Sequence, residues 1–472
     1  MKLVRARAVT AYVVLVGVAV VLVGKAAMPL DNLDTYFHLR FGHEFLTGAW
    51  SLRDPGSVTR FATADWVPTQ WLPQIVMAQL EEWFGLSAVA WLAGLLFLTL
   101  ALSIYVACRR QAEPLVAAIV VALTLEACTS GMSMRPQQIS YILVVVTTAA
   151  WLRARETGRV PWWLVPVAWV WTMCHGMWPI GIVIGLVAVA GLGLDREHPR
   201  RVLLRMLAVP VLSALVSLLT PVGPGLFEAV LRVSSRAKYF YEWGPPDFTE
   251  LPKVTLLVLL ALAIVPRMRR GKTPWFDLLL IGLAALWAVY SMRTVPVAAC
   301  LVAPLAAAGV QAVLTDRTGA DRPPARRRER IGVAAGYALA LATLALVVPH
   351  TADEPLATPA WMDDALGDLP AGTAVVDETA FGGYLMWCFP QLDLVIHGYG
   401  DTFTDAELER NADLDAARAG WRELLIRTGA EYAVLPPGSP LAYNLRAVEH
   451  WEVLESSPDV ELLQAPPGWP GS

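Results

Sequence analysis

The sequence predicts a helical membrane protein with a small mixed α/β domain at its carboxyl end. Mean hydropathy is +0.49, and only 17% of the 472 residues are charged. The apolar residues are grouped into blocks about as long as a membrane-crossing helix. The last part of the chain differs, because short apolar runs alternate there with helical patterns.

About eleven of these blocks are candidate transmembrane helices. The first follows a basic amino terminus, and we interpret it as an uncleaved anchor because more spans follow it. The predicted spans are 8–27, 86–107, 114–129, 138–152, 162–176, 178–194, 203–221, 254–266, 275–291, 294–315 and 331–349.

Basic residues occupy alternate connections between the blocks, and this pattern predicts the orientation in the membrane. The connections that carry them lie at 109–110, 153–159, 196–205, 267–272 and 322–330. The positive-inside rule makes these connections cytoplasmic, together with the amino terminus. We therefore expect a multi-pass protein of the plasma (inner) membrane, with the tail from residue 350 outside the cytoplasm.

The charge balance supports a separate tail. Residues after 350 include 21 acidic and 5 basic side chains, which argues against nucleic-acid binding. We predict a polytopic transmembrane domain over 1–349, with an amphipathic first external loop at 28–85, and an extracytoplasmic α/β domain over 350–472. The tail is expected to form strands at 374–376, 394–396, 432–435 and 460–463, and helices at 385–387, 405–415 and 416–427.

The first external loop contains two candidate helices. Residues 71–84 repeat apolar side chains on one helical face. Trp71 and Trp83 lie near the two ends, as expected for a helix in the headgroup layer. Residues 34–46 form a second, weaker helical pattern.

Asp34 is the leading candidate for chemistry, because it follows the first span where the chain leaves the membrane. A partly desolvated carboxylate at a membrane surface can accept the proton of an incoming hydroxyl. On a helix that starts near 34, His38 shares the face of Asp34 at i, i+4. The alternative is that Asp31 or Asp34 only caps the next helix. The two roles are compatible, and a structural role for His38 also stays open.

Ionisable residues collect at the outer ends of the spans. Arg135 and Arg293 lie where the positive-inside rule leaves few arginines, so they are candidates to bind a phosphate at headgroup depth. Snorkelling toward lipid headgroups is the alternative. Glu126, in the third span, needs a partner or a water-filled cavity, and Arg135 is a candidate partner. His175 falls in the next external turn.

These residues resemble the C-type membrane glycosyltransferases (GT-C superfamily), in a bacterial branch with an exported carboxyl-terminal domain. The opening loop signature of that branch is similar to Asn32-Leu33-Asp34-Thr35-Tyr36-Phe37-His38-Leu39-Arg40-Phe41-Gly42. Further similar elements follow in the same order: Asp54-Pro55-Gly56-Ser57, residues 66–72, Arg135-Pro136-Gln137, His175-Gly176, Glu242-Trp243, the Arg293 turn, residues 381–385 and residues 397–401.

The resemblance implies a transferase that takes a sugar from a polyprenyl-phosphate-linked donor in the membrane. The acceptor would be an external hydroxyl on an envelope glycan, lipid or protein, and inversion is usual. Asp34 would be the base, and Arg135 or Arg293 would hold the donor phosphate. The supporting residues implied are Asp31, Asn32, His38, Gln70, Glu126, His175 and Glu242.

Two positions depart from the family pattern. Asn32 replaces the first acid of a D-x-D element, unless Asp31 takes its place, and Thr69-Gln70 stands where His-Glu is often found. Without these acids the motif does not support a divalent metal, and the cofactor stays open. Two other functions also stay open: a lipid or solute transporter, which needs coupling residues near the midplane, and a non-catalytic envelope scaffold that recruits proteins through its acidic tail.

Overall fold

The computed structural model describes residues 2–271, 273–319, 324–356 and 358–470. Contacts divide the chain into two compact units, which we call the spanning unit and the tail unit. The spanning unit comprises Met1–Pro29, Ser87–Glu228 and Phe240–Asp353. The tail unit comprises Leu30–Leu86, Ala229–Tyr239 and Glu354–Ser472.

The secondary structure is mostly helical, with one small sheet. The helices are α1 (Lys2–Ala26), α2 (Asp34–Leu46), α3 (Trp71–Phe84), α4 (Leu86–Arg109), α5 (Pro114–Ala127), α6 (Gln137–Thr157), α7 (Leu164–Cys174), α8 (Pro179–Asp195), α9 (Arg200–Val216), α10 (Gly225–Ser235), α11 (Leu251–Arg269), α12 (Trp275–Tyr290), α13 (Val295–Thr318), α14 (Arg327–Thr351), α15 (Trp361–Gly367), α16 (Gly382–Cys388), α17 (Asp405–Asp415), α18 (Trp421–Thr428) and α19 (Pro440–Ala447). The strands are β1 (Ala374–Asp377), β2 (Asp393–Leu394), β3 (Tyr432–Leu435), β4 (Glu452–Ser456) and β5 (Glu461–Gln464).

Each predicted span forms a helix, and the fold class is confirmed. In the described part of the chain, six helices are long and apolar enough to cross a membrane: α1, α4, α9, α11, α13 and α14. Helices α5, α7, α8 and α12 are apolar but have only 10–17 residues. Helix α6 has 21 residues and ends in a charged turn. The protein is therefore a polytopic helical membrane protein.

Helix α13 lies at the centre of the spanning unit. Its membrane-length segment is 67% buried, compared with 11% for α1 and for α14. Helices α5, α6, α11 and α12 pack around it. Small residues allow this close packing, because they let the backbones of neighbouring helices approach each other. Such contacts matter in a membrane, since lipid offers no hydrophobic driving force between helices. At Gly309 the α13 backbone meets the carbonyl oxygen of Leu262 on α11 so closely that a methyl group would not fit.

The sheet of the tail unit has the strand order β2-β1-β3-β5-β4. Strand β1 pairs in parallel with β2 and β3, whereas β5 pairs antiparallel with β3 and β4. The predicted strands are confirmed, although β2 begins at Asp393 and is shorter than expected. Strand β4 was not predicted, because its five side chains are exposed and carry no burial pattern.

The helices of the tail unit agree with the prediction less closely. Residues 405–415 match α17, and the expected segment 385–387 lies inside α16. The helix predicted over 416–427 begins only at Trp421, because Ala417 and Gly420 have positive φ angles of 47° and 88° that a right-handed helix does not accept. Helices α15 and α19 were not predicted.

The segment Leu30–Leu86, which contains most of the loop predicted over 28–85, packs within the tail unit. The Thr59 hydroxyl donates to the carbonyl of Leu394 at 2.8 Å. The Ala64 N–H donates to the carbonyl of Thr402 at 2.9 Å. From the sequence, residues 28–85 were grouped with the transmembrane domain. The boundary of that domain at residue 349 stays a prediction.

Helices α2 and α3 form where the sequence predicts them, and they pack against each other. The packed face of α3 carries Gln74, Met77 and Ala78, not the apolar stripe that marked the helix in the sequence. On that stripe, Trp83 and Phe84 are 64% and 66% exposed. An open apolar stripe is what a helix in the headgroup layer presents.

We expect Gly42→Ala to destabilise the protein by about 1–3 kcal/mol, because overpacking forces backbones apart. A methyl group at Gly42 would lie 2.8 Å from the Cβ of Ala78 and would clash with the Gln74 carbonyl. Thermal unfolding in detergent measures the loss. The matched control is Gly17→Ala on α1, where a methyl group meets nothing within 4 Å. Equal melting temperatures for the two variants would contradict a tight α2–α3 contact.

Candidate active site

Asp34 is the first residue of α2, and the residue at the N-cap position is Leu33. The Asn32 side chain accepts the N–H of Asp34 at 3.1 Å, so Asn32 satisfies one of the free N–H groups at this helix start. The Asp34 carboxylate is therefore not the N-cap, which was one alternative from the sequence. Asp34 is half-buried, and Asp31 is exposed.

A loop of the tail unit lies against the Asp34 carboxylate. A methyl group on Gly398 would be 3.2 Å from Asp34 Oδ1 and 3.5 Å from the carbonyl oxygen of Thr379. A methyl group on Gly383 would be 2.8 Å from the carbonyl oxygen of Leu33. Two glycines thus allow the tail backbone to approach the start of α2. We call Asp34, Thr379 and Gly398 the Asp34 cluster.

Two further acids lie beside this cluster. Asp377 is fully buried at the end of β1. Its Oδ1 accepts the N–H of Ile396 at 3.2 Å, and its Oδ2 has no hydrogen-bond partner among the described residues. Burial raises the pKa of Asp377 well above its ordinary value. Asp415 accepts the Thr379 hydroxyl at 3.2 Å, and burial raises its pKa to about 7 despite that hydrogen bond. Both carboxyls therefore hold protons more readily than ordinary acids.

His38 and Gln70 both contact Gln74 on α3. His38 is buried, and its Nδ1 lies 3.0 Å from Nε2 of the buried Gln74 on α3. Its ring also contacts the Phe37 ring at a tilt of 56°, with centroids 4.3 Å apart. Gln70 is the N-cap residue of α3, and its carbonyl accepts the N–H of Gln74 at 3.2 Å.

In the spanning unit, two of the predicted residues converge on a third. Arg135 Nη1 lies 3.1 Å from Glu242 Oε1, and Arg293 Nη1 lies 3.9 Å from the same oxygen. The Arg293 guanidinium also lies over the Trp243 ring, 5.3 Å from its centroid. Burial raises the pKa of Glu242, but the charges of Arg293 and Arg135 outweigh this effect and hold it below its ordinary value. We call Arg135 and Arg293 the arginine pair.

Further hydrogen bonds hold the two arginine-bearing turns of this unit. The Met292 N–H donates to the carbonyl of Gly244 at 3.0 Å, which ties the Arg293 turn to the Glu242 turn. Ser133 Oγ accepts from Arg135 Nε at 3.2 Å. One carboxylate between two guanidinium groups leaves net positive charge, and such a site attracts anions.

Of the two remaining predicted residues, Glu126 makes a backbone contact and His175 makes a side-chain contact. The carbonyl of Glu126, in the last turn of α5, accepts the Thr129 hydroxyl at 2.8 Å. His175 is buried after α7, and its Nδ1 lies 3.0 Å from the Ser140 hydroxyl. Trp171 donates to that hydroxyl at 2.8 Å, so His175 belongs to a buried hydrogen-bond network.

Three residues of the tail unit were not predicted from the sequence: Asp377, Thr379 and Asp415. They lie in segments with no recognised catalytic spacing, and only the fold brings them together. The available signal was the pair of glycine-rich motifs at 381–385 and 397–401, because glycines mark close backbone approach. Among the described residues, no three His, Cys, Asp or Glu side chains converge as metal ligands would.

This chain is similar to known proteins in its structure. No family model matches the sequence, and no curated protein matches it either. Solved structures do match. The archaeal oligosaccharyltransferase AglB from Archaeoglobus fulgidus, in complex with an inhibitory peptide and a dolichol-phosphate, has a TM-score of 0.55 at 11% identity over 90% of this chain and 69% of its own.

ArnT from Cupriavidus metallidurans matches over nearly its whole length. In the apo state it has a TM-score of 0.54 at 17% identity, over 97% of this chain and 98% of its own. Bound to undecaprenyl phosphate it has a TM-score of 0.54 at 16% identity, over the same shares. The protein has the GT-C fold. At these identities the GT-C likeness establishes the fold and not the reaction.

The raised pKa of Asp415 leads to a pH prediction. Its carboxyl titrates near pH 7 in the folded protein, above its ordinary 3.8, so the folded state binds this proton more tightly. The stabilisation is complete below the ordinary pKa and is lost as the pH rises toward 7. We therefore expect a lower unfolding temperature at about pH 8 than at about pH 5, and a smaller difference in Asp415→Asn.

The control for this experiment is Asp413→Asn, two residues earlier, where the side chain pairs with Arg418 at the surface. We expect this variant to keep the wild-type pH dependence. An unchanged pH dependence in Asp415→Asn would show that Asp415 does not bind the proton.

Proposed function

We propose that the protein transfers a sugar from a polyprenyl-phosphate-linked donor to a hydroxyl group outside the cytoplasm, with inversion. The observation that carries this proposal is the position of Asp34, half-buried against the Gly398 loop at the start of α2, in a chain with the GT-C fold. The tail unit is then extracytoplasmic, as the positive-inside rule predicts.

The neighbours support the class of donor. ArnT has been solved with undecaprenyl phosphate and AglB with a dolichol-phosphate, and both of these are polyprenyl phosphates. We infer that this protein also binds a lipid of that class in its sugar-linked form.

The chemistry assigns each group one role. The acceptor oxygen attacks the anomeric carbon from the face opposite the phosphate, and its proton passes to the Asp34 carboxylate. The bond between the anomeric carbon and the phosphate oxygen breaks, and the polyprenyl phosphate leaves with that electron pair. Arg135 and Arg293 stabilise the charge that develops on the leaving phosphate. Glu242 orients both guanidinium groups.

Asp34→Asn is expected to reduce transfer by about 10²–10⁴-fold, the usual contribution of a general base. The amide keeps the shape of the carboxylate but cannot take the proton. The assay is transfer in proteoliposomes, together with mass spectrometry of the lipids that co-purify with each protein. A polyprenyl-phosphate-linked sugar enriched in the variant would identify a stalled donor complex.

The control is Asp65→Asn, an exposed acid in the same loop, which should leave transfer unchanged. Full turnover by Asp34→Asn would refute the base assignment. Bulk phospholipid alone in both samples would favour the scaffold or transporter functions instead.

Arg135→Ala and Arg293→Ala are each expected to lower kcat/KM for the donor by about 10–100-fold, since a hydrogen bond to a charged group contributes about 1.5–3 kcal/mol. The lysine variants should recover part of this loss, because lysine keeps the charge but not the planar fork. Arg418→Ala, at the surface of the tail unit, is the control. An unchanged kcat/KM in both alanine variants would show that the pair holds no donor phosphate.

A further inference from the structure

The spanning unit contains a groove that the proposed transfer reaction does not use. A hollow of about 900 Å³ lies where α4 and α6 end and α14 begins. A second hollow of about 540 Å³ extends between α4 and α6. The two share Leu102, Val106, Ala149, Arg110 and Arg153. They therefore form one branched groove, with two arginines where the branches meet.

One end of the groove is fixed by a buried ion pair. Arg109 Nε and Nη2 donate to the two carboxylate oxygens of Glu329 at 2.6 and 3.0 Å, and the Tyr105 hydroxyl donates to the same carboxylate at 3.1 Å. These contacts join the end of α4 to the start of α14 and neutralise both charges. Neither group is then available to an incoming ligand.

The other arginines of the groove are available. Arg110, Arg153 and Arg330 are exposed, and no carboxylate in the described part of the chain lies within ion-pair distance of them. The remaining acid of the lining is Glu156, which accepts a hydrogen bond from Gln111 at 3.4 Å. With Arg159, which lines the second hollow, four described cations therefore face one anion, and the groove carries net positive charge.

The walls behind these charges are apolar. Leu102, Val106, Leu152 and Val333 line the part that runs along the helices. The groove thus combines a cationic end, beside the basic connections of the chain, with an apolar surface that continues into the spanning region. A soluble anion would leave this apolar surface bare, whereas a lipid covers it.

We propose that this groove binds an anionic diacyl phospholipid, with its phosphate between Arg110 and Arg153. Basic pockets between transmembrane helices on the cytoplasmic side recognise anionic headgroups, and guanidinium forks match phosphate oxygens. The two branches accommodate the two acyl chains, and their volumes fall in the range of ligand sites, about 300–1,000 Å³. This site is independent of the transfer reaction and does not need Asp34.

The test is native mass spectrometry of the full-length protein after titration with dioleoyl phosphatidylglycerol or dioleoyl phosphatidylcholine. The wild type should bind phosphatidylglycerol at least about tenfold more tightly than phosphatidylcholine. The double variant Arg110→Ala/Arg153→Ala should lose that preference. Its lysine counterpart should retain most of it, which separates loss of charge from loss of fold.

The matched control is Arg200→Ala/Arg201→Ala, an exposed arginine pair at the start of α9 outside the groove lining. It should keep the wild-type preference. Equal binding of the two lipids by the wild type would overturn the proposal, as would an equal loss in the α9 variant. Binding of glycerol phosphate as tight as that of phosphatidylglycerol would also overturn it, because the chains would then contribute nothing.

Discussion

A lipid bilayer offers no hydrogen-bond partners, and this constraint determines most of the molecule. Every backbone N–H and C=O group inside the bilayer must be satisfied within the protein, so the chain crosses as helices. Ionisable side chains are costly there and move to the helix ends. The central helix α13 shows the consequence, because it is rich in alanine and valine and approaches the α11 backbone closely at Gly309.

Close approach between backbone segments also determines the environment of Asp34. Gly398 and Gly383 let a loop of the tail unit lie against the start of α2, and larger residues would displace it. The carboxylate consequently sits between a helix start, which favours negative charge, and a backbone that excludes part of the solvent. For the base that we propose, the two conditions act in opposite directions: the helix start favours the ionised carboxylate, and partial desolvation makes it a better proton acceptor. Nearby, burial raises the pKa of Asp377 and of Asp415 despite the hydrogen bonds that their carboxylates accept.

The arginine pair shows a different use of charge. Two guanidinium groups share one carboxylate, Glu242, which fixes their positions without neutralising both. At the other end of the helices, Arg109 is neutralised by Glu329, whereas no carboxylate in the described part of the chain lies within ion-pair distance of Arg110. The protein thus contains arginines that a carboxylate neutralises and arginines that keep positive charge.

The amino-acid sequence by itself determined the membrane helices and four of the five strands of the tail sheet, because hydropathy and periodicity are local properties of the chain. It also singled out Asp34, Arg135 and Arg293 by their positions at span ends. Tertiary structure decided the rest. The exposed strand β4 carries no burial signal, the packed face of α3 depends on Gly42 of its partner helix, and the Gly398 loop approaches Asp34 from more than 350 residues away. Such contacts depend on which surfaces meet after folding, and no local pattern records that pairing.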